Sequence, residues 1–330
     1  MSRPEHAEAP NPPAHLLLGP ASLDIYLGRD LVLPGGGALN MAWHLRSAEQ
    51  RWGLLTRVGD DRPDVFQAFL ARHAIPHLPG SLVGPGPSAS IDIVIQPDLQ
   101  PHMDNFVEGV WADYRSTEDE AAAIAKGRHL HLVLVEGAIR ELERLAAADA
   151  LGHLAVSADF LGFRHYTVER FAKSMTAVDV GFVGWPGALD DEVLAGLRDA
   201  THRLGRLTVV TLGSRGVQVF DGRNAANGGA GDRFFHVTAI PVKGTTVGCG
   251  DAFVAAFLAE WVRTGGSKTQ TGDLAAAVEA GKAAGAQATH WRRPLPDHVY
   301  GEAAADALAT ADRLAVRDAH PQDQTSSASS

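Results

Sequence analysis

One cysteine, Cys249, is all that 330 residues provide. An internal disulfide is impossible, so stability must come from a packed core, as in chains of reducing compartments. Basic residues are also scarce: 29 Lys and Arg stand against 39 Asp and Glu, a formal charge of −10. With no basic run or stripe to meet a polyanion, nucleic acid is not expected as a partner. No apolar run approaches the ~18 residues needed to cross a bilayer. The Ala/Pro-rich start, with Glu5 and Glu8, lacks the basic and apolar regions of a secretory leader. The expectation is a cytoplasmic chain with no membrane partner. Motifs of several enzyme classes are missing too. There is no Gly-x-Ser-x-Gly elbow and no Gly-x-x-x-x-Gly-Lys-Ser/Thr loop, which leaves α/β-hydrolase and P-loop chemistry without support. A dinucleotide fold would carry its glycine fingerprint after the first strand, where Gly19-Pro20-Ala21-Ser22 stands instead.

What is present is a 45% hydrophobic chain, enough for a large α/β domain or two modest ones. Apolar strand-like runs alternate with Ala/Leu-rich helical stretches. His15 to Gly19, Gly53 to Val58, His129 to Val135, Ala155 to Phe160, Val180 to Val183 and Leu207 to Leu212 read as strands. Ala38 to Leu45 and Asp64 to His73 read as helices, the second with Val65, Ala68 and Phe69 on its apolar face. Such alternation predicts an α/β fold with a mostly parallel sheet covered by helices on both faces. Ser88 to Ile95 and Asn105 to Tyr114 break the rhythm, because no crossover helix separates them. They predict a small antiparallel flap. The termini are polar or Pro-rich and cannot bury enough apolar surface to order themselves, so residues 1–14 and 316–330 are expected to be disordered tails around a domain at 15–315.

The most informative segment is Lys243-Gly244-Thr245-Thr246-Val247-Gly248-Cys249-Gly250-Asp251. It follows a strand expected at Phe235 to Val242 and opens a helix expected at Ala252 to Arg263. Small residues at 248–250 let the backbone turn and present N–H groups, and a helix start adds partial positive charge. That is a cradle for a phosphoryl group, and Asp251 could accept the proton of an incoming hydroxyl. By itself the turn is also consistent with Asp251 as an ordinary helix cap. Gly229-Ala230-Gly231-Asp232 imitates it, but a strand-like run follows, so Asn224 to Asp232 reads as a hairpin loop. His129-x-His131 has the closest histidine spacing, and without further ligands nearby it reads as structural rather than metal-binding.

The turn resembles the second signature of the ribokinase/PfkB carbohydrate kinases, and a first signature stands upstream: Pro34-Gly35-Gly36-Gly37-Ala38-Leu39-Asn40-Met41-Ala42, then Leu55 to Asp61. Gly19 to Ile25 is similar to that family's first strand, and Val209 to Val217 to its ATP-flanking strand and turn. Phe106 to Tyr114 and Asp24-Ile25-Tyr26 are similar to members acting on fructosamine-like sugar–amines. The resemblance implies a ribokinase-like three-layer α/β/α sandwich with a mostly parallel central sheet and a small β lid at about 88–114. It implies ATP-dependent phosphorylation of a hydroxyl on a small sugar-like molecule, with ATP and Mg2+ as cofactors and a homodimer through the lid as an option. Asp251 would be the base, with Gly248, Cys249 and Gly250 stabilising the transferring charge. Asp24, Gly35, Gly36, Asn40 and Glu136 would hold the acceptor. Thr211, Gly213, Gly216, Gly248 and Gly250 would line the nucleotide, with adenine near Ala280 to Ala288. Other readings are a nucleoside kinase, using Trp111 or Tyr114 as a surface for a base, and a catalytically weakened binder that acts as a regulator.

Three positions depart from that pattern. Thr245 and Val247 replace an Asp and a Thr that help many members hold an activating potassium ion, so monovalent activation is not expected here. Gly184-Trp185-Pro186-Gly187 stands where Asn-x-x-Glu, associated with phosphate and magnesium, would fall. Asp190, Asp191 and Glu192 are the nearest acids, at a shifted spacing. Cys249 replaces an alanine; only its N–H is needed, and an inert small side chain is the simplest reading.

Overall fold

The computed structural model describes residues 13–29, 31–96, 101–223, 233–242 and 244–319. Twelve strands form among them: β1 His15–Leu18, β2 Ser22–Tyr26, β3 Leu31–Gly35, β4 Trp52–Leu55, β5 Ala89–Ile95, β6 Pro101–Val107, β7 His129–Val133, β8 Ala155–Asp159, β9 Val180–Gly184, β10 Leu207–Thr211, β11 Val217–Asp221 and β12 Arg233–Val237. The helices are α1 Gly37–Leu45, α2 Pro63–Arg72, α3 Pro79–Leu82, α4 Glu118–Lys126, α5 Glu136–Ala147, α6 Val168–Met175, α7 Glu192–Arg203, α8 Cys249–Arg263, α9 Leu274–Ala288 and α10 Glu302–Ala319.

Eight strands make the main sheet in the order β12-β11-β10-β9-β8-β7-β1-β4. From β10 to β4 every pairing is parallel, while β11 and β12 are added antiparallel at one edge. The central strands are buried on both faces, which is why they read as unbroken apolar runs. Alternation still decides which layer each side chain joins. Leu16 and Leu18 pack into one apolar layer and Leu17 into the other. One layer collects α1, α8 and α9; the other collects α4, α5, α6 and α7. The result is the expected α/β/α sandwich, and all parallel strands end on one side of it. Clefts of such sheets open at those carboxyl ends.

A second sheet of four strands, β3-β2-β5-β6, stands over that side. It is larger than the predicted two-stranded flap, because Ser22–Tyr26 leaves the main sheet and pairs with Leu31–Gly35 and Ala89–Ile95. The expected first strand, Gly19 to Ile25, is thus two pieces: β1 ends at Leu18, and Gly19 and Pro20 carry the chain to the lid. Asn105 to Tyr114 is corrected as well. The partner of β5 is Pro101–Val107, and the chain then turns at Gly109 into a short 3₁₀ segment. That turn buries Trp111 and Tyr114 as a stacked pair with ring centroids 4.2 Å apart.

Smaller expectations shift too. In α2 the buried face is Phe66, Phe69 and Leu70, with Ala68 exposed. The strand before the glycine turn ends at Val237, and α10 continues through Ala319, past the expected domain end at residue 315. Residues 1–12 and 320–330 of the expected tails, the Asn224 to Asp232 hairpin loop and Lys243 lie outside the described residues. Both histidines of the His-x-His pair are buried on β7 and share Ser157, their ring nitrogens 2.8 Å from its hydroxyl.

Candidate active site

The site begins with helix α8. Gly248 is its N-cap, with φ +74°, and a side chain there would drive a Cβ to 2.5 Å from Pro294 Cα. Only glycine fits that left-handed, crowded corner. Asp251 is therefore the third residue of the helix and not its cap, which removes the simplest non-functional reading of the motif. Its carboxylate instead reaches across to the first signature: Asn40 Nδ2, on α1, donates to Asp251 Oδ2 at 2.8 Å. The same two helices pack closely through Phe253, Phe257 and Leu39 in one core layer, so the contact between residues 211 positions apart is held by the fold.

A cavity of about 500 Å³ opens in front of Asp251. Asp24, Gly36, Asn40, Thr211, Gly248, Gly250 and Asp251, seven of the sequence-predicted residues, line it. Asp24 comes from lid strand β2, so the lid supplies part of the site as well as a cover. Ile91, Met103 and Phe106 of β5 and β6 complete its apolar roof. Gly36 caps α1 at φ +97°, where a Cβ would meet Pro20 O at 2.6 Å. That glycine brings α1, and with it Asn40, up against the cavity.

Three carboxylates face this space, and none has a basic partner. Burial is the main force on each, since the charged form loses its hydration. It pushes Asp251 from 3.8 to about 7, against the Asn40 hydrogen bond and with help from the charge of Asp159. Asp24 is likewise pushed up to about 7, despite the Ser22 hydroxyl at 3.3 Å, and Asp251 adds to the effect. Asp159 rises to about 6 while accepting from Leu161 N at 2.8 Å. A carboxylate poised near neutrality is suited to accept a proton from an alcohol. Asn40 Oδ1 is buried without a partner and is free to accept from a bound hydroxyl.

Other predicted residues fall elsewhere. Gly35 lies under Asp24, where a Cβ would touch its carboxylate at 2.2 Å, and it supports that side chain rather than facing the cavity. Cys249 contributes backbone to the helix start. Its thiol points to Thr245 O at 3.5 Å, and burial, with the charge of Asp251, pushes it up to about 11. Gly213 and Gly216 shape the turn between β10 and β11 but do not line the cavity. Neither does Ala280 to Ala288 of α9. Glu136 does not line it either: it opens α5 and is held by Arg170 through two bonds of 2.8 Å. Trp111 and Tyr114 are core residues, with Trp111 Nε1 donating to Arg57 O at 2.9 Å; no face is left for a nucleobase.

The departures from the motif also find their places. Thr245 is buried, and its hydroxyl donates to Trp291 O at 2.8 Å while its N–H donates to Thr289 O. The segment 184–187 is held by Arg215, which donates to Gly187 O at 2.6 Å and Trp185 O at 3.2 Å. Asp191 caps α7 through Val193 N; neither it, Asp190 nor Glu192 reaches the cavity. Among the described residues no group of three or more His, Cys, Asp or Glu is placed to hold a metal ion.

Sequence reasoning missed Asp159, Arg164 and His165, which also line the cavity. Asp159 carried a usable signal, being the first charged residue at the carboxyl end of a predicted parallel strand. The other two follow it in a loop without a motif.

Residues 180–292 match the pfkB family carbohydrate kinases. The chain is 26% identical over 265 residues to a cytidine kinase of Thermococcus kodakarensis, covering 75% of this chain and 88% of that one. It is 26% identical over 246 residues to the fructoselysine 6-kinase of Escherichia coli, covering 74% and 87%. Its fold matches a structure of Arabidopsis thaliana ribokinase complexed with ribose and ATP, with TM-score 0.64, 17% identity and coverage of 91% and 99%. No helix among the described residues is long and apolar enough to cross a membrane.

Proposed function

We propose that this chain is a carbohydrate kinase of the pfkB family, a reading supported by the match over residues 180–292, and that it transfers the γ-phosphoryl group of ATP to a hydroxyl of a sugar or a fructosamine-like sugar–amine adduct. One observation carries the reading: Asp251 sits beside the backbone cradle at the start of α8, bonded to Asn40 of the first signature, in one cavity with Asp24 of the lid. Asp24 and Asn40 bind acceptor hydroxyls, and Asp251 takes the proton from the one that attacks. The N–H groups at Gly248 and Gly250, with the helix dipole, balance charge on the phosphoryl group in flight; the Cys249 N–H, expected to join them, donates instead to Thr246 O at 3.3 Å. Thr211, at the end of β10, marks the nucleotide side, with Gly213 and Gly216 shaping the turn behind it. Magnesium is carried by the phosphates of ATP and by water, as its preference for retained waters allows, and no step is assigned to a protein-bound ion.

A nucleoside acceptor is the second reading, favoured by the cytidine kinase relative and by Phe106, a partly exposed ring on the cavity roof. A purely binding role is disfavoured by the placing of Asp251 beside the cradle, bonded to Asn40 in the same cavity. An ADP-release screen over fructosamines, hexoses, pentoses and nucleosides separates these. Turnover of a fructosamine or sugar supports the proposal, turnover of nucleosides alone moves it to the second reading, and no turnover in any class sinks both. The partly exposed Phe106 and Val107 on lid strand β6 make a lid-to-lid homodimer the associated proposal, and sedimentation of a β6 charge variant tests it.

A further inference from the structure

The loop joining β8 to α6 has two non-glycine residues in the left-handed region, Leu161 at φ +54° and Phe163 at φ +63°. Such backbone persists only where its surroundings hold it, and it gathers at functional sites. Here both ends of the loop are anchored. At the start, Leu161 N donates to Asp159, and Gly184 N, from β9, donates to Leu161 O, each at 2.8 Å. Phe163 is buried among the rings of Tyr166, Phe171 and Trp185. At the far end, Arg170 donates to His165 O at 2.6 Å and forks onto Glu136. Glu136 opens α5 just after β7, whose Val133 abuts Gly37 of the first signature. The loop is therefore held between β9 and the start of α5, with residues 164 and 165 at the α5 end, which Val133 links to the first signature.

Arg164 lies at that tied end. It lines the cavity, yet it makes no hydrogen bond or ion pair with any described residue. It is the single Lys or Arg of the lining, against Asp24, Asp159 and Asp251. A guanidinium left free over a cavity is a planar fork that matches a carboxylate by two parallel N–H···O bonds. One guanidinium balances one negative charge; a phosphomonoester dianion would face three carboxylates with a single cation. We infer that Arg164 is a specificity residue pairing with a carboxylate on the acceptor. The acceptor is then an acidic polyol, either a sugar acid or a sugar–amino acid adduct, rather than a neutral sugar or nucleoside. Glu136 serves as a positioning residue, holding the loop through Arg170. The word acceptor rests on the kinase reading above; the carboxylate contact does not.

The test uses two matched pairs of probes: gluconate with sorbitol, and the fructosamine of lysine with that of cadaverine. Within each pair the acid carries a carboxylate that its neutral or amine partner lacks. Calorimetric titration without nucleotide should show at least one acid binding the wild type about 10- to 100-fold tighter than its partner, the range of a charged hydrogen-bonded contact. Arg164→Leu should abolish that ratio and Arg164→Lys should restore part of it. Arg164 is exposed and unpartnered, so the variants should fold, which circular dichroism checks. Equal binding within both pairs, binding of none, or an unchanged ratio in Arg164→Leu overturns the inference. A raised KM for ATP with an unchanged acceptor ratio also overturns it and moves Arg164 to the nucleotide phosphates. Acid-selective binding without turnover would leave the inference standing and sink the kinase reading instead.

Discussion

At the scale of single residues, the proposed chemistry depends on one carboxylate held at the edge of ionisation, Asp251 as base. Asp251 must be charged to accept a proton, and burial places that change at about 7. Activity measured as kcat/KM should therefore climb with pH through about 7 and be lost on the acid side. A flat profile from pH 5 to 8 would contradict the assignment. The same displacement acts on stability with the opposite sense. A carboxyl group whose value is raised on folding favours the fold while it is protonated, and that support is lost as pH climbs from 3.8 through about 7. Asp251→Asn should then lower kcat by about 10²- to 10⁴-fold and raise the melting temperature at pH 8. Its stabilising effect, up to about 4 kcal/mol, should vanish toward pH 4. Asp251, Asn40 and Asp24 were legible in the sequence because they sit inside spaced motifs with glycines that only a tight turn explains. Asp159 and Arg164 were not, since an acid after a strand and a basic residue in a loop look the same in sequence whether they face solvent or a cavity.

At the scale of elements, α8 separates two glycines that the sequence presents as equivalent. A Cβ at Gly248 would collide with Pro294, and φ is positive; at Gly250 nothing lies within 4 Å of the added atom. Gly248→Ala should cost both stability and activity. Gly250→Ala should keep or slightly raise the melting temperature, by the ~0.5–1 kcal/mol that alanine gains in a helix, while its methyl group enters the cradle and lowers turnover. Paired thermal melts and ADP-release rates read both outcomes. Helices and parallel strands were largely legible because their burial is written as periodicity. The lid was legible only in outline. Phe106 to Tyr114 is apolar enough for a strand, but its later part is consumed by the stacked Trp111 and Tyr114, a tertiary contact that no local pattern records.

At the scale of the whole molecule, two segments far apart in the chain are locked to the site. Thr245, which stands in place of the acid expected there, ties the glycine turn to residues 289 and 291 by its own hydroxyl and N–H. Exchanging potassium for tetramethylammonium should leave both turnover and melting temperature nearly unchanged. Just beyond, Arg293, only 2% exposed, is clamped by Asp312 of α10 and Asp297. Asp312→Ala strands a buried guanidinium and should destabilise the fold by about 3–5 kcal/mol, which denaturant titration can read. The sandwich architecture was legible from strand and helix alternation; this clamp was not, because adjacent Arg292 and Arg293 look alike until burial sorts them.

The division of the site between two sheets carries one more consequence. The cradle and Asp251 belong to the main sheet, whereas Asp24 and the apolar roof belong to the lid. On the proposed reading, a nucleotide without an acceptor to bridge them would meet only half of the apparatus, and the roof would have nothing to close upon. Water is then a poorly held nucleophile, lacking the hydroxyl contacts that draw the halves together. On the proposed reading this layout would guard against idle hydrolysis, because the small molecule to be modified would also complete the enclosure.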